Sequence, residues 1–119
     1  MAATLPKSER LCGLTAIAGL MEHGRGGTAG CLRYKYLSNG GADVSRILVS
    51  VPKRSFKRAV RRNLLKRRIR ESYRLQKDLL PAAVDVAFVY TPREVLPFAD
   101  IYASMTAALQ AIGEKLVTP

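Results

Sequence analysis

Between Lys53 and Lys77 the chain carries twelve lysines and arginines and a single acid, Glu71. A dense cluster of such residues, with no partner acid or base, holds anions. A guanidinium fork fits two phosphate oxygens at once, and an ammonium meets a phosphate as a point charge. Bond-breaking groups are sparse by comparison. Cleaving a phosphodiester needs metal-binding carboxylates or a positioned acid and base. The nine acids are scattered with no closely spaced pair, and the one histidine, His23, stands beside Gly24, where a capping or surface role is the simpler reading. Cys12 and Cys31 have no metal-ligand spacing and read as ordinary thiols of a reducing compartment. The chain is therefore expected to bind a polyanion, with no catalytic residue and no metal site of its own.

Composition narrows the partner. The chain has 119 residues, a formal net charge of +11 and a sequence pI near 10.3, and the eight cations outside the basic segment are cancelled by the eight remaining acids. A polyanion could be nucleic acid or an anionic membrane surface. Membrane-surface helices usually set Trp, Phe and Leu opposite lysines. Here the segment is Arg-rich, includes Asn63 and has a short apolar arc, which favours nucleic acid. No run reaches the roughly 18 apolar residues of a membrane span, and the N-terminus lacks a basic start followed by an apolar run. A cytoplasmic location, with no membrane as partner, is the expectation. At 48% hydrophobic residues the chain can fold as one domain over residues 1–119.

The elements that must position these cations follow from periodicity. Ser8 is placed to cap a first helix with apolar positions Leu14, Ile17, Ala18 and Met21, which stops at Gly24. The glycine-rich stretch Arg25 to Gly30 reads as a flexible loop, and not as a phosphate cradle, because no Gly-Lys-Ser/Thr follows. Leu32, Tyr34 and Tyr36 alternate with Arg33 and Lys35 as in a strand, Asn39-Gly40-Gly41 supply a turn, and residues 47–51 form a second strand closed by Pro52. From Phe56 to Leu79 no Gly or Pro interrupts a helix that Pro81 ends. Residues 84–90 read as a central strand. Pro97 opens a last helix with the stripe Ile101, Met105, Ala108, Leu109, Ile112 and Leu116.

On a wheel of about 100° per residue, Arg62, Asn63, Lys66, Arg67, Arg70 and Arg74 share an arc of roughly 140°, with Leu65, Ile69 and Tyr73 on an adjoining arc. Exposed helix faces normally mix charge signs, because like charges one turn apart repel. A face of cations without counter-charges calls for an external anion.

The run Ala59-Val60-Arg61-Arg62-Asn63-Leu64-Leu65-Lys66-Arg67-Arg68-Ile69-Arg70 resembles the Ala-Val-x-Arg-Asn-x-x-Lys-Arg-x-x-Arg signature of the bacterial ribonuclease P protein subunit, with every fixed position filled. Arg10-Leu11, His23-Gly24, Ser50-Val51-Pro52-Lys53 and Asp85 to Val89 are similar to that family's flanking segments. The resemblance implies an α/β fold, an α+β sandwich similar to ribosomal protein S5 domain 2. In it the basic helix is a crossover between parallel strands, of the left-handed kind that the usual rule disfavours. It implies the catalytic RNA of ribonuclease P, and not DNA, as partner of Arg62, Asn63, Lys66, Arg67 and Arg70, and the neighbouring Arg58, Arg61 and Arg74 are assigned to the same RNA surface. It implies a second surface, a cleft between the first helix and the sheet, for the 5′ leader of precursor tRNA, assigned here to Ile17, Met21, Tyr34, Tyr36 and Lys53. Ile17 and Met21 replace the usual first-helix aromatics, leaving Tyr34 and Tyr36 as ring donors for stacking, against the alternative that both pack in the core. Magnesium and the hydrolysis belong, on this resemblance, to the RNA. A ribosomal-type RNA-binding protein and a stand-alone nuclease are the alternatives.

Overall fold

A computed structural model describes residues 9–11, 13–38 and 44–117. Helix α1 spans Leu14–His23 and stops where glycine was expected to stop it. The Gly24 amide donates to the Leu20 carbonyl at 2.8 Å, and a Cβ at Gly24 would come within 2.4 Å of that oxygen. The start differs from expectation: α1 begins after Gly13, at φ 99°, while Ser8 lies outside the described residues. The packed side differs too. Leu20 is buried, with Ala16 and Ile17 against the same cluster, whereas Leu14 is 89% and Met21 42% exposed. On a short helix that is apolar nearly all round, spacing alone does not choose which stripe turns inward.

Arg25–Ala29 is strand β1 rather than a loop, paired antiparallel with β2 (Leu32–Ser38) across a turn at Gly30 and Cys31. Glycine weakens a strand in general, but here it makes room. Gly27 faces Tyr34 across the ladder, and a Cβ on it would lie 2.4 Å from the Tyr34 hydroxyl, so the ring covers the glycine as a side chain of its own would. Strand β3 (Arg46–Ser50) follows, then helix α2 (Ala59–Gln76) with a 3-10 turn over Lys77–Leu79, strand β4 (Val84–Tyr90) and helix α3 (Phe98–Val117). Asn39-Gly40-Gly41 lie outside the described residues.

The sheet order is β1-β2-β4-β3, antiparallel except for β3 and β4, which run parallel and are joined through α2. β4 is central, as expected, and its residues are buried except half-buried Val89, including Asp85, the one charged residue in the strand, which pairs with Arg46. One face of the sheet, with Tyr34, Tyr36, Ile47, Val49, Val86 and Phe88, packs on Leu65, Ile69 and Tyr73 of α2 and on the expected α3 stripe to form the main core. The opposite face carries Leu37, Leu48 and Ala87 and is covered by α1 and Leu11. The layers are therefore α2 and α3, sheet, then α1.

Candidate nucleic-acid interface

The basic helix is fixed from beneath. Phe56, just ahead of α2, packs against Tyr90 with ring centroids 5.9 Å apart, and Tyr73 near its end packs against Phe88 at 6.4 Å. Leu65, Ile69 and Tyr73 are buried as their arc predicted, so the helix cannot roll, and its other sides face outward. The helix opens at Ala59, three residues later than expected, because residues 52–56 form a turn in which the Pro52 carbonyl accepts the Ser55 and Phe56 amides.

The cations along α2 then divide by what they touch. Arg62 sends one guanidinium nitrogen, Nη1, to the carbonyls of Phe56 at 2.7 Å and Lys57 at 2.9 Å, tying the entry loop to the helix. Arg68 donates to the Leu96 carbonyl at 2.7 Å and clasps the segment before α3. Arg74 pairs with Glu71 one turn back. That hydrogen bond holds the Glu71 carboxyl below its usual range and raises the Arg74 guanidinium. Arg58, Arg61, Asn63 and Arg67 are exposed, and Lys66 and Arg70 are half-buried. No side chain caps the helix start and no acid stands in its first turn. The partial positive charge of the free amides there adds to the cations instead of being relieved. This end of the molecule has positive potential and few internal partners for it.

The residues assigned to the second surface are not all brought together. Ile17 is half-buried under α1, Met21 is exposed at its end, and Lys53 is exposed in the turn after β3. Tyr34 and Tyr36, at 9% and 8% exposure, lie on the other side of the sheet, in the core beneath α3, with their rings 6.4 Å apart. The grouping of these tyrosines with Ile17 and Met21 is therefore corrected. Alternation along β2 separates tyrosines from cations but does not say which side α1 covers. The β2 residues on the α1 side are Arg33, Lys35 and Leu37, and Lys35 Nζ donates to the Met21 carbonyl at the end of α1. Where α1 no longer covers it, this face shows Arg33, Val89 and Ser50 side by side across three strands. Arg33 and Lys35 were visible in the sequence as the basic half of the alternation, but only the placement of α1 gives them a site.

His23 is exposed next to Glu22, 3.9 Å away. Among the described residues no three of His, Cys, Asp and Glu converge as metal ligands. Within the same residues no helix is long and apolar enough to cross a membrane.

Comparison with known proteins agrees with this geometry. The Ribonuclease P family model matches residues 5–113. The Ribonuclease P protein component of Porphyromonas gingivalis is 36% identical over 115 residues, covering 95% of this chain and 84% of that protein. That of Desulfotalea psychrophila is 36% identical over 84 residues, covering 71% and 63%. Among solved structures, the RNase P protein of Staphylococcus aureus superposes with a TM-score of 0.78 at 23% identity, over 89% of this chain and 96% of that one. That of Thermotoga maritima superposes at 0.76 with 24% identity, over 87% and 96%. With a signature helix complete at every fixed position, a family match over nearly its whole length and the same four-stranded fold, this chain belongs to the ribonuclease P protein family.

Proposed function

We propose that this chain is the protein subunit of ribonuclease P, which binds the catalytic RNA through the outer face of α2 and assists that RNA in trimming the 5′ end of precursor tRNA. The observation that carries the reading is the set Arg58, Arg61, Asn63, Lys66, Arg67 and Arg70, held outward on a helix whose opposite side is locked in the core. Arg62 and Arg74 stand in the same row and belong to the surface, but each is also engaged within the protein.

The 5′ leader runs, on this reading, over the sheet face beside α1, against Ile17, Met21 and Lys53, with Arg33 and Lys35 in the place first given to Tyr34 and Tyr36. Phosphate contacts then outweigh ring stacking on this surface, so leader binding should depend on salt more than on base identity. Magnesium held by the RNA supplies the hydrolytic chemistry. The protein's cations lower the repulsion between phosphates of the RNA and of the substrate, so less magnesium is needed for both to come together.

The test mixes RNA-free protein, a matching bacterial catalytic RNA and a 5′-extended precursor tRNA at low magnesium, omitting each component in turn. Cleavage at the mature 5′ end that requires both RNA and protein is the expected result. Absence of stimulation by the protein would overturn the assignment, and cleavage by protein alone would make it a nuclease. If about six phosphates are neutralised, log affinity for the catalytic RNA falls against log salt with a slope of roughly −5.

A further inference from the structure

The described chain starts ahead of α1 with three residues that are not free. Arg10 makes a parallel bridge with Ile47, and the Leu11 amide donates to the Ile47 carbonyl at 2.7 Å, so this segment lies along the outer edge of β3. Residues opposed across such a bridge point to the same side of the sheet. Ile47 faces the main core under α2, so Arg10 emerges on the α2 side, while Leu11 turns into the cluster beneath α1. Glu9, itself buried, pairs with Lys77 Nζ at 2.9 Å and fastens the segment to the C-terminal end of the helix.

This brings Arg10 to the flank of α2 where Arg70 is half-buried. The two guanidiniums are close enough to act on one another: Arg70 is held below its ordinary value first by burial and then by the charge of Arg10. Neither makes an ion pair among the described residues, and the acids next to them in the chain are committed elsewhere, Glu9 to Lys77 and Glu71 to Arg74. Two like charges delivered to one place by different elements, each element separately fastened, are unfavourable unless an anion sits between them. A tetrahedral phosphate diester, with its unesterified oxygens spread over an arc, is an acceptor that two forks can share.

We propose that Arg10 and Arg70 together form a phosphate-binding subsite at the β3 edge, which extends the RNA surface from α2 onto the N-terminal segment. The proposal rests on the reading that α2 binds RNA, and it adds a contact from outside the signature helix. Arg10 is the donor from the segment, Arg70 the donor from the helix, and Glu9 with Lys77 keeps the two in register.

The experiment is equilibrium binding of the full chain to the catalytic RNA over a range of KCl concentrations, with Arg10→Gln, Arg70→Gln, the double variant, Arg10→Lys and the exposed control Arg67→Gln. Each single glutamine variant should weaken binding about 5- to 10-fold and flatten the salt slope by nearly one. The double variant should flatten it by about one as well, because one phosphate is lost either way, and its loss should fall short of the product of the two. Arg10→Lys keeps the charge, so it should keep the slope and lose only part of the affinity. If Arg67→Gln weakens binding and Arg10→Gln does not, the subsite is wrong while RNA binding by α2 stands. If losses at Arg10 and Arg70 multiply and the slope changes by two, they touch separate phosphates and the shared subsite is overturned. If Arg67→Gln is also without effect, the reading of α2 itself fails.

Discussion

Replacing Arg62 by Ala should damage the protein before any RNA is added. Its Nη1 atom donates to two carbonyls, at 2.7 and 2.9 Å, and so closes the entry loop onto α2. A hydrogen bond from a charged donor contributes about 1.5–3 kcal/mol when shielded. Here one atom serves both acceptors and the site is partly open to water, so about 1–2 kcal/mol for the pair is the reasonable figure. Removing one charge from a cationic helix works the other way, by a few tenths of a kcal/mol at most, so the loss wins. With an unfolding entropy of about 2.1 cal/mol/K per residue, that loss over 119 residues lowers the melting temperature by about 4–8 °C. Circular dichroism melting of RNA-free protein reads it directly. Arg67→Ala, exposed and without a side-chain bond to the described residues, should shift by less than about 2 °C. A melting temperature for Arg62→Ala within about 1 °C of the parent would refute the reasoning, because the loop closure would then contribute nothing to the free protein. The corollary matters for testing the proposed RNA surface: an alanine scan scored on RNA affinity alone would assign to RNA contact at Arg62 a loss that belongs to loop closure.

Two further outcomes follow from the fold. Gly30 sits at φ 54°, and a Cβ there would come within 2.3 Å of the Ser104 hydroxyl, which accepts the buried Cys31 amide at 3.0 Å. Gly30→Ala should therefore cost about 2–4 kcal/mol, from left-handed backbone plus an orphaned amide, seen as an earlier urea midpoint with unchanged slope; a midpoint equal to the parent's would show that the turn relaxes freely. Tyr73 has its phenol pushed up to about 12, first by burial and then by the charge of Glu9, whereas in the unfolded chain it ionises near 10. The folded state holds that proton more tightly, so its contribution is complete below about pH 10 and is lost as pH rises toward 12. Tyr73→Phe should show a shallower decline of stability between about pH 10 and 11, and parallel declines would mean the phenol is no more buried folded than unfolded.

The parts legible in the sequence are those whose length and periodicity leave one solution. Helix α2 stands where its length and composition placed it, though it opens three residues late, and β4 and the α3 stripe stand where the spacing placed them. What could not be read are relations between elements. β1 holds two glycines and only one good strand former, Thr28, and the Tyr34 ring lying over Gly27 supplies the packing that the glycine lacks. Alternation along β2 was right about its two faces, but the side taken by α1 depends on Leu20 meeting Ala87, two residues 67 positions apart. Within the basic helix, sequence counts charges and cannot tell an arginine that reaches solvent from one, such as Arg62 or Arg68, that turns back to a carbonyl. The strand-like bridge of Arg10 is carried by a single residue pair, too short to leave a period.

That bridge has a bearing on solubility. A parallel sheet edge with free amides and carbonyls is a template on which a second chain can add, and proteins protect such edges with charge or with a covering segment. On β3 both devices coincide, since the segment that lies on the edge brings Arg10 with it. The far edge, β1, is guarded differently, by its five-residue length and by Arg25 at its start. On the proposed reading of the subsite, the same arginine is at once a donor for the RNA phosphate and a deterrent against the protein's own copies.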